Sequence, residues 1–442
     1  VVVMRMDKGI TKMATAVIII VIVIVASAAA AYITFQPKPV TREIRIGLVA
    51  SLTGVSADVG TDMKRASILA VDEINEKGGV YVKEYNAKLK IKLIEGDDRT
   101  NPQEGVTCVK KLILEDNVDV LVGGFSSAVT YASQVPAIEN KVPFVITGAS
   151  SSLVTRRTDK DTSYMFHYCT ITDDYSTTIV KFFAETMKPK VAPNRNFKLA
   201  ILYQDSPYGQ GCYQSSVDYI KAKNLPMDIV ASEKFKMGDM DFHTQLTKIA
   251  AAKPDAVYHA GFVADTAEAI KEGLVDIGLK TVYIAVECCE DPNYYGLMEK
   301  IGPVVDRQLL ESKFGPFAGH YSNAVDAYKE VYTKRWGIAP GMMGADTYDA
   351  IYLVALAIEN AGTLDKAKVR DAIEKIEMPQ KLIMMQGGVV KFDKNHEIAP
   401  ISFVEQIFYD SKTKKLVPYI IYPDSLKQKD FELPPDYKAG GS

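Results

Sequence analysis

Cysteine is scarce in this 442-residue chain and nowhere spaced for pairing or for metal. Cys108, Cys169, Cys212, Cys288 and Cys289 are an odd number without a CxxC motif, which excludes a disulfide framework and argues against a zinc site. The five histidines are scattered, and no HExxH occurs, so no metal is expected. A basic surplus is missing too: 52 Lys and Arg stand against 55 Asp and Glu, and no basic run is interleaved with aromatics. Nucleic acid is therefore not an expected partner. A GxSxG elbow, a GxxxxGK[ST] phosphate loop and a GxGxxG fingerprint after the first strand are all lacking, which leaves no recognisable catalytic set and no expected cofactor. We expect a binding protein rather than an enzyme.

What the chain does have is one long apolar run near its start. Residues 14–31 carry no charge, with unbroken Val and Ile from Val17 to Val25, and Arg5, Lys8 and Lys12 lie before it. Such a run is just long enough to span a bilayer, and the basic flank puts the remainder of the chain outside the cell. Residues 1–35 are thus expected to be a membrane anchor, with 36–42 as a short Pro-containing linker. A cleaved signal peptide is the alternative, because Ala26, Ala28 and Ala30 offer small-residue cleavage sites. No cysteine follows the run closely, so no lipid anchor on a mature N-terminal Cys is expected.

From Glu43 onward, short apolar runs alternate with amphipathic helical patterns. Strands are expected at 44–50, 89–94, 118–122 and 142–147, with helices at 58–77, 102–117 and 126–139 between them. A second series follows, with strands at 199–203, 228–233, 256–260 and 282–285 and helices at 208–223, 242–252 and 264–277. Residues 164–174 between the two series read as a crossover. The fold class is α/β, two doubly wound parallel-sheet lobes. Helices at 322–336 and 347–361 and strands at 388–393 and 401–410 come after the second series, which a single pass through two domains does not require.

In doubly wound sheets ligands sit beyond the carboxyl ends of the strands. Two such ends are rich in hydroxyls: Gly123-Gly124-Phe125-Ser126-Ser127 and Gly148-Ala149-Ser150-Ser151-Ser152. Glycines permit close approach, and free N–H groups at a helix start suit a carboxylate. Plain N-capping by Ser accounts for either loop taken singly. Glu287, after the strand at 282–285, is placed to meet an ammonium, or else is a solvated loop acid. Tyr208, in Asp205-Ser206-Pro207-Tyr208-Gly209, supplies a phenol and a ring, or simply belongs to a turn. Cys288-Cys289 reads as two reduced thiols, with a vicinal disulfide as the alternative.

Taken in order, these segments resemble the branched-chain amino-acid (leucine/isoleucine/valine) binding proteins of ABC transporters, which have the type I periplasmic-binding fold. The resemblance runs over roughly 44–422. It is carried by Ile46-Gly47-Leu48-Val49-Ala50-Ser51-Leu52-Thr53-Gly54, Ala70-Val71-Asp72-Glu73-Ile74-Asn75, Asp97-Asp98 with Asn101-Pro102, and Val122-Gly123-Gly124-Phe125-Ser126-Ser127. Later carriers are Tyr208-Gly209-Gln210-Gly211, Gly278-Leu279-Lys280, Tyr348-Asp349-Ala350 and Gly388-Val389-Val390-Lys391-Phe392-Asp393. The resemblance implies three crossovers, with lobe one at 43–168 and 315–398, lobe two at 172–312 and 402–425, and a tail at 426–442.

It also implies a ligand site. Ser127 and backbone N–H groups near Ala149 and Ser151 would hold an α-carboxylate. The Ala149 carbonyl, the Ser151 hydroxyl and Glu287 would hold the ammonium. Tyr208 matches an aromatic of the closing lobe, Phe262 stands where the family has a tyrosine, and Val59 where it often has one lining the side-chain pocket. The implied partners are a small amino acid or analogue, and permease subunits with separate ATPases. The other reading is an extracellular ligand-sensing receptor domain for amides, urea or small carboxylates. Only 13 residues precede the apolar run, too few for a cytoplasmic output domain, which favours transport.

Overall fold

The computed structural model describes residues 16–25, 27, 41–318 and 322–438. Residues 16–25 are helical, and among the described residues no helix is long and apolar enough to cross a membrane. Residues 14, 15, 26 and 28–31 of the apolar run, and residues 36–40 of the expected 36–42 linker, lie outside the described residues. Glu43–Ser442 forms one unit by its internal contacts.

That unit is built on two sheets. The first has five parallel strands: β1 Ile44–Ala50, β2 Ile91–Asp97, β3 Val120–Gly123, β4 Phe144–Ile146 and β5 Met165–His167, in the order β2-β1-β3-β4-β5. The second has seven: β6 Phe197–Gln204, β7 Met227–Phe235, β8 Ala256–Ala260, β9 Val282–Ala285, β10 Leu309–Ser312, β11 Phe403–Asp410 and β12 Lys415–Tyr422, in the order β12-β11-β10-β9-β8-β6-β7. Only β11 and β12 run antiparallel to their neighbours. The central strands are buried, β3, β8 and β9 along their whole length and β1 except at Arg45, as expected for sheets covered on both faces.

The helices are α1 Ala57–Glu76, α2 Pro102–Leu114, α3 Ser127–Glu139, α4 Thr172–Phe182, α5 Pro207–Ala222, α6 His243–Ala252, α7 Val263–Lys271, α8 Pro292–Ile301, α9 Asn323–Trp336, α10 Met342–Ala361 and α11 Lys366–Glu374. Several start in the same way: a side-chain cap followed by Pro. Asn101 accepts from Gln103 and Glu104 N–H, Ser206 from Gly209 N–H, and Asp291 from Asn293 N–H, each just before a proline at the first helical position.

After His167 the chain leaves the first sheet, builds the second as far as Ser312, and comes back. α10 packs on α1, and Glu397 bridges to His167 beside β5. The chain then ends in the second sheet with β11 and β12. The late helices and strands are therefore a return to the first lobe and a final return to the second.

Five sequence expectations need correction. Residues 164–174 are not all crossover, because Met165–His167 is an edge strand. The expected strand at 89–94 is broken at Lys90: Ala87–Leu89 pairs with Val80–Val82 in a hairpin, whereas Ile91 is drawn into the main sheet. The Asn75 amide bonds both peptide groups of Ile91, which fixes that break. The helix expected at 264–277 passes into a π-turn at Glu272–Asp276, where Tyr283 Oη packs directly against Gly273. The strand expected at 388–393 shrinks to Val389–Val390. The C-terminal stretch is no loose tail through Lys438: Phe431 is buried, Gln406 and Glu432 exchange hydrogen bonds, and Lys438 N–H donates to the Lys280 carbonyl.

Candidate functional site

The carboxyl ends of β3 and β4 face those of β8 and β9 across a small cavity. Phe125, Ser127, Gly148, Ser150 and Met343 line it from the first lobe, and Tyr208, Phe262, Glu287 and Cys288 from the second. It encloses about 10 Å3, room for about one water. The two lobes touch around it. The rings of Phe125 and Phe262 lie 4.8 Å apart, and Met342 N–H donates to the Glu290 carbonyl at 2.9 Å.

Gly123 and Gly124 bring the chain from β3 into α3. Both have positive φ, 115° and 80°, and a Cβ on Gly123 would stand 2.1 Å from the Val49 carbonyl oxygen. Only glycine serves here. The turn delivers Ser126 to the N-cap and Ser127 to the first position of α3, where backbone N–H groups lack helical partners. Ser127 Oγ accepts from Ser151 N–H at 3.1 Å, which leaves its own proton to donate into the cavity. Ser150 Oγ lies 3.1 Å from Tyr175 Oη, tying the first lobe to α4 of the second.

On the opposite wall Tyr208 Oη donates to the Gly261 carbonyl at 3.1 Å, and its ring stacks on Phe262 at 5.8 Å. Tyr208, Phe262 and Phe125 thus form a row of rings with the phenol engaged. Cys288 Sγ donates to the same Gly261 carbonyl at 3.2 Å, and all five cysteines are free and buried. Glu287 is 3 % exposed. Its Oε2 lies 3.3 Å from the ammonium of the buried Lys313, and its Oε1 has no hydrogen-bond partner. Burial pushes the Glu287 carboxyl up, and Lys313 opposes that shift. Lys313 also stands 3.0 Å from Asp346 Oδ2 on α10. Burial works to lower the Lys313 pKa, but Asp346 and Glu287 outweigh it and keep the lysine charged.

Of the expected site residues, Ser127, Ser150, Tyr208, Phe262 and Glu287 come together at the cavity. Ser126, Ala149, Ser151 and Val59 are not among its lining. Val59 is packed in the core on α1, and Ser126 is the buried N-cap residue of α3. The two Ala149 groups expected to face a ligand are engaged elsewhere: its N–H donates to the Gly124 carbonyl at 3.0 Å, and its carbonyl lies 2.6 Å from His167 Nε2. Burial lowers His167 to about 4, so the ring is neutral and donates to that carbonyl at neutral pH. Ser151 N–H is spent on Ser127. Phe125, Gly148, Cys288 and Met343 line the cavity without being expected as ligand contacts, although the first two sit inside the hydroxyl-rich loops and Cys288 is expected only as one of two adjacent thiols. Met343 and Lys313 had no sequence signal.

The site is a closed slot with hydroxyls at one end, a buried acid at the other and aromatic rings between. A slot of this kind between two doubly wound lobes is the arrangement of a solute binder. Comparison with known proteins agrees, since residues 43–407 match the periplasmic binding protein family. The chain belongs to that family. It is 24 % identical over 401 residues to Leu/Ile/Val-binding protein homolog 7 of Brucella abortus, covering 90 % of this chain and 95 % of that protein. The fold is similar to that of the branched-chain amino acid transporter substrate-binding protein LivJ of Streptococcus pneumoniae in complex with isoleucine, with a TM-score of 0.71 and 21 % identity over 86 % of this chain and all of that one. An ABC-transporter solute-binding protein of Rhodopseudomonas palustris in complex with 3,4-dihydroxybenzoic acid is equally similar, at TM-score 0.71 and 21 % identity over 89 % of this chain and 99 % of that one.

Proposed function

We propose that this chain is the substrate-binding protein of an ABC importer and captures a small zwitterionic amino acid between its lobes outside the cytoplasmic membrane. The observation that carries this reading is the opposition of Ser127 and Ser150 to the partly unpartnered Glu287 across one cavity. Ser127, at the start of α3, receives the carboxylate together with free helix N–H groups. Glu287 receives the ammonium, which compensates a charge that is costly to leave unpaired in a buried wall. Phe125, Tyr208, Phe262 and Met343 surround the side chain. The relatives named above, one of them in complex with isoleucine, support the amino-acid reading.

In this reading 43–168 with 315–398 form one jaw and 172–312 with 402–425 the other. The cavity as it stands is far smaller than an amino acid, so entry requires the jaws to part and Phe262 to lift from Phe125. Ligand contacts to both jaws then favour closure. The closed form delivers its cargo to a permease driven by separate ATPases. Residues 1–35 act as a tether, which raises the local concentration at the permease, or are removed as a signal. Membrane fractionation of the intact chain distinguishes the two.

A second reading has one observation in its favour. Lys313 already stands beside Glu287, so an aromatic carboxylate without an ammonium is the competing ligand, in keeping with the dihydroxybenzoate complex of the R. palustris protein. A thermal-shift screen across amino acids, amides and benzoates separates them. Stabilisation by amino acids supports the proposal, and stabilisation by benzoates alone overturns it.

A further inference from the structure

Lys313 lies between β10 and α9, where the chain passes from the second lobe back to the first, and it is fully buried. Its ammonium is shared by two buried carboxylates, one from each lobe: Glu287 at 3.3 Å and Asp346 at 3.0 Å. Neither Glu287 Oε1 nor Asp346 Oδ1 accepts a hydrogen bond. Two ionised carboxylates against one ammonium would leave a net buried charge, which proteins avoid by keeping one acid protonated.

Among the described residues, the other titratable groups packed here offer no second cation. Glu311 of β10 is buried with both carboxyl oxygens unbonded, and burial together with Glu287 pushes its carboxyl well up. Around Glu287, burial raises Cys169, Tyr175 and Cys212, and Cys289 with burial raises Cys288. Beyond Asp346, Tyr168 and Asp349 are raised by burial as well. The His167 imidazole near Lys313 is neutral.

We propose that the Glu287–Lys313–Asp346 triad is one positive charge short, so that the site selects a ligand bearing an ammonium and expels a proton from the triad when that ammonium docks. This rests on the amino-acid reading above and adds a specificity device to it. The proton leaves the carboxyl that Glu287 and Asp346 hold between them and passes to solvent, while the ligand ammonium takes its place as counter-charge. No bond to the ligand is made. Asp346 is a positioning residue in this scheme: it does not line the cavity, and it acts by drawing Lys313 away from Glu287.

The test is calorimetric titration of the whole chain with L-isoleucine, at one pH, in two buffers of different ionisation enthalpy. The same titration is made with 3-methylpentanoate, which is isoleucine without its ammonium. Wild type is expected to release between about half and one proton on binding isoleucine, with affinity rising up to about tenfold per pH unit on the acid side. 3-Methylpentanoate is expected to release none and to bind at least about tenfold more weakly. Asp346→Asn keeps the shape but lets Lys313 neutralise Glu287. Isoleucine affinity should then fall about tenfold or more and proton release disappear, with 3-methylpentanoate affinity within about twofold of wild type. Isoleucine binding without proton release in wild type, a measurement that needs no variant, overturns the triad, as does full proton release in Asp346→Asn. If wild type does not bind isoleucine, or binds 3-methylpentanoate equally well, the underlying amino-acid reading fails instead.

Discussion

Where the lobes meet, Asp62 on α1 and Asp291 at the start of α8 form an acid pair that dictates how stability varies with pH. Asp62 accepts hydrogen bonds from Tyr332 Oη at 2.6 Å and from the Gly341 and Gly344 N–H groups at 3.2 and 2.7 Å. Asp291 Oδ1 accepts from Asn293 N–H at 2.7 Å. Their Oδ2 atoms converge on Gly341, each within 3 Å of where a Cβ would stand. Burial, then the charge of Asp62 and more weakly that of Asp58, pushes Asp291 up to about 7. Burial pushes Asp62 up to about 6 against its hydrogen bonds and Arg65. Acids whose pKa rises on folding contribute stability that is full below about pH 4 and is lost as pH rises through 6 to 7. For Asp291 the rise from 3.8 to about 7 is about three units, or roughly 4 kcal/mol at most, and part of that repulsion is shared with Asp62. Asp291→Asn keeps the Oδ1 cap and turns an N–H toward Asp62. At pH 8 the variant should be more stable than wild type by about 1–3 kcal/mol, a gain that shrinks as pH falls and disappears only near pH 4. Urea denaturation of both proteins from pH 5 to 8 reads this directly. A wild type whose stability is flat over that range, or a variant weaker than wild type at pH 8, refutes the reasoning.

Other consequences follow from the same geometry. Ser127→Ala should weaken ligand binding by about 1–3 kcal/mol in a calorimetric titration, the cost of a buried charge left short of a partner; undiminished affinity would move the carboxylate off α3. Gly341→Ala places a Cβ 2.8 Å from Asp291 Oδ2 and 2.9 Å from Asp62 Oδ2, so the midpoint in urea should fall by an equivalent of about 1–3 kcal/mol. Cys288, 6 % exposed in the cavity wall with its thiol pKa well above normal, should alkylate slowly, and more slowly still with ligand present. Site-resolved mass spectrometry checks this, and labelling of Cys288 that ligand leaves unchanged would place the binding site elsewhere.

Much of the fold is legible in the sequence because its strongest signals are local. β1 and β8 are bounded by charged or turn residues, and their expected limits, like those of β9, coincide with those observed. Segments whose environment is set by distant partners are not legible. α10 begins at Met342, five residues before the expected Thr347, because its first turns are buried all round and carry no amphipathic period. β5 and β10 have three and four residues, and Glu311 in β10 reads as a surface acid although it is fully buried. At the site, glycine and hydroxyl density point to both first-lobe loops but not to the orientation within them. Ser127 and Ser150 reach the cavity, whereas Ala149 is tied to Gly124 and His167. Lys313 lies 26 positions from Glu287 and meets Asp346 only across the lobe contact, a pairing no periodicity encodes.

The most direct test of the account is the affinity of Glu287→Gln for the amino acid that best stabilises the wild type. With Glu287, the only acid lining the cavity among the described residues, made neutral, and the ligand ammonium left buried without its counter-charge, binding should weaken by about 2–5 kcal/mol, roughly thirtyfold or more. A Glu287→Gln protein that binds its amino acid as tightly as wild type contradicts zwitterion capture at this site.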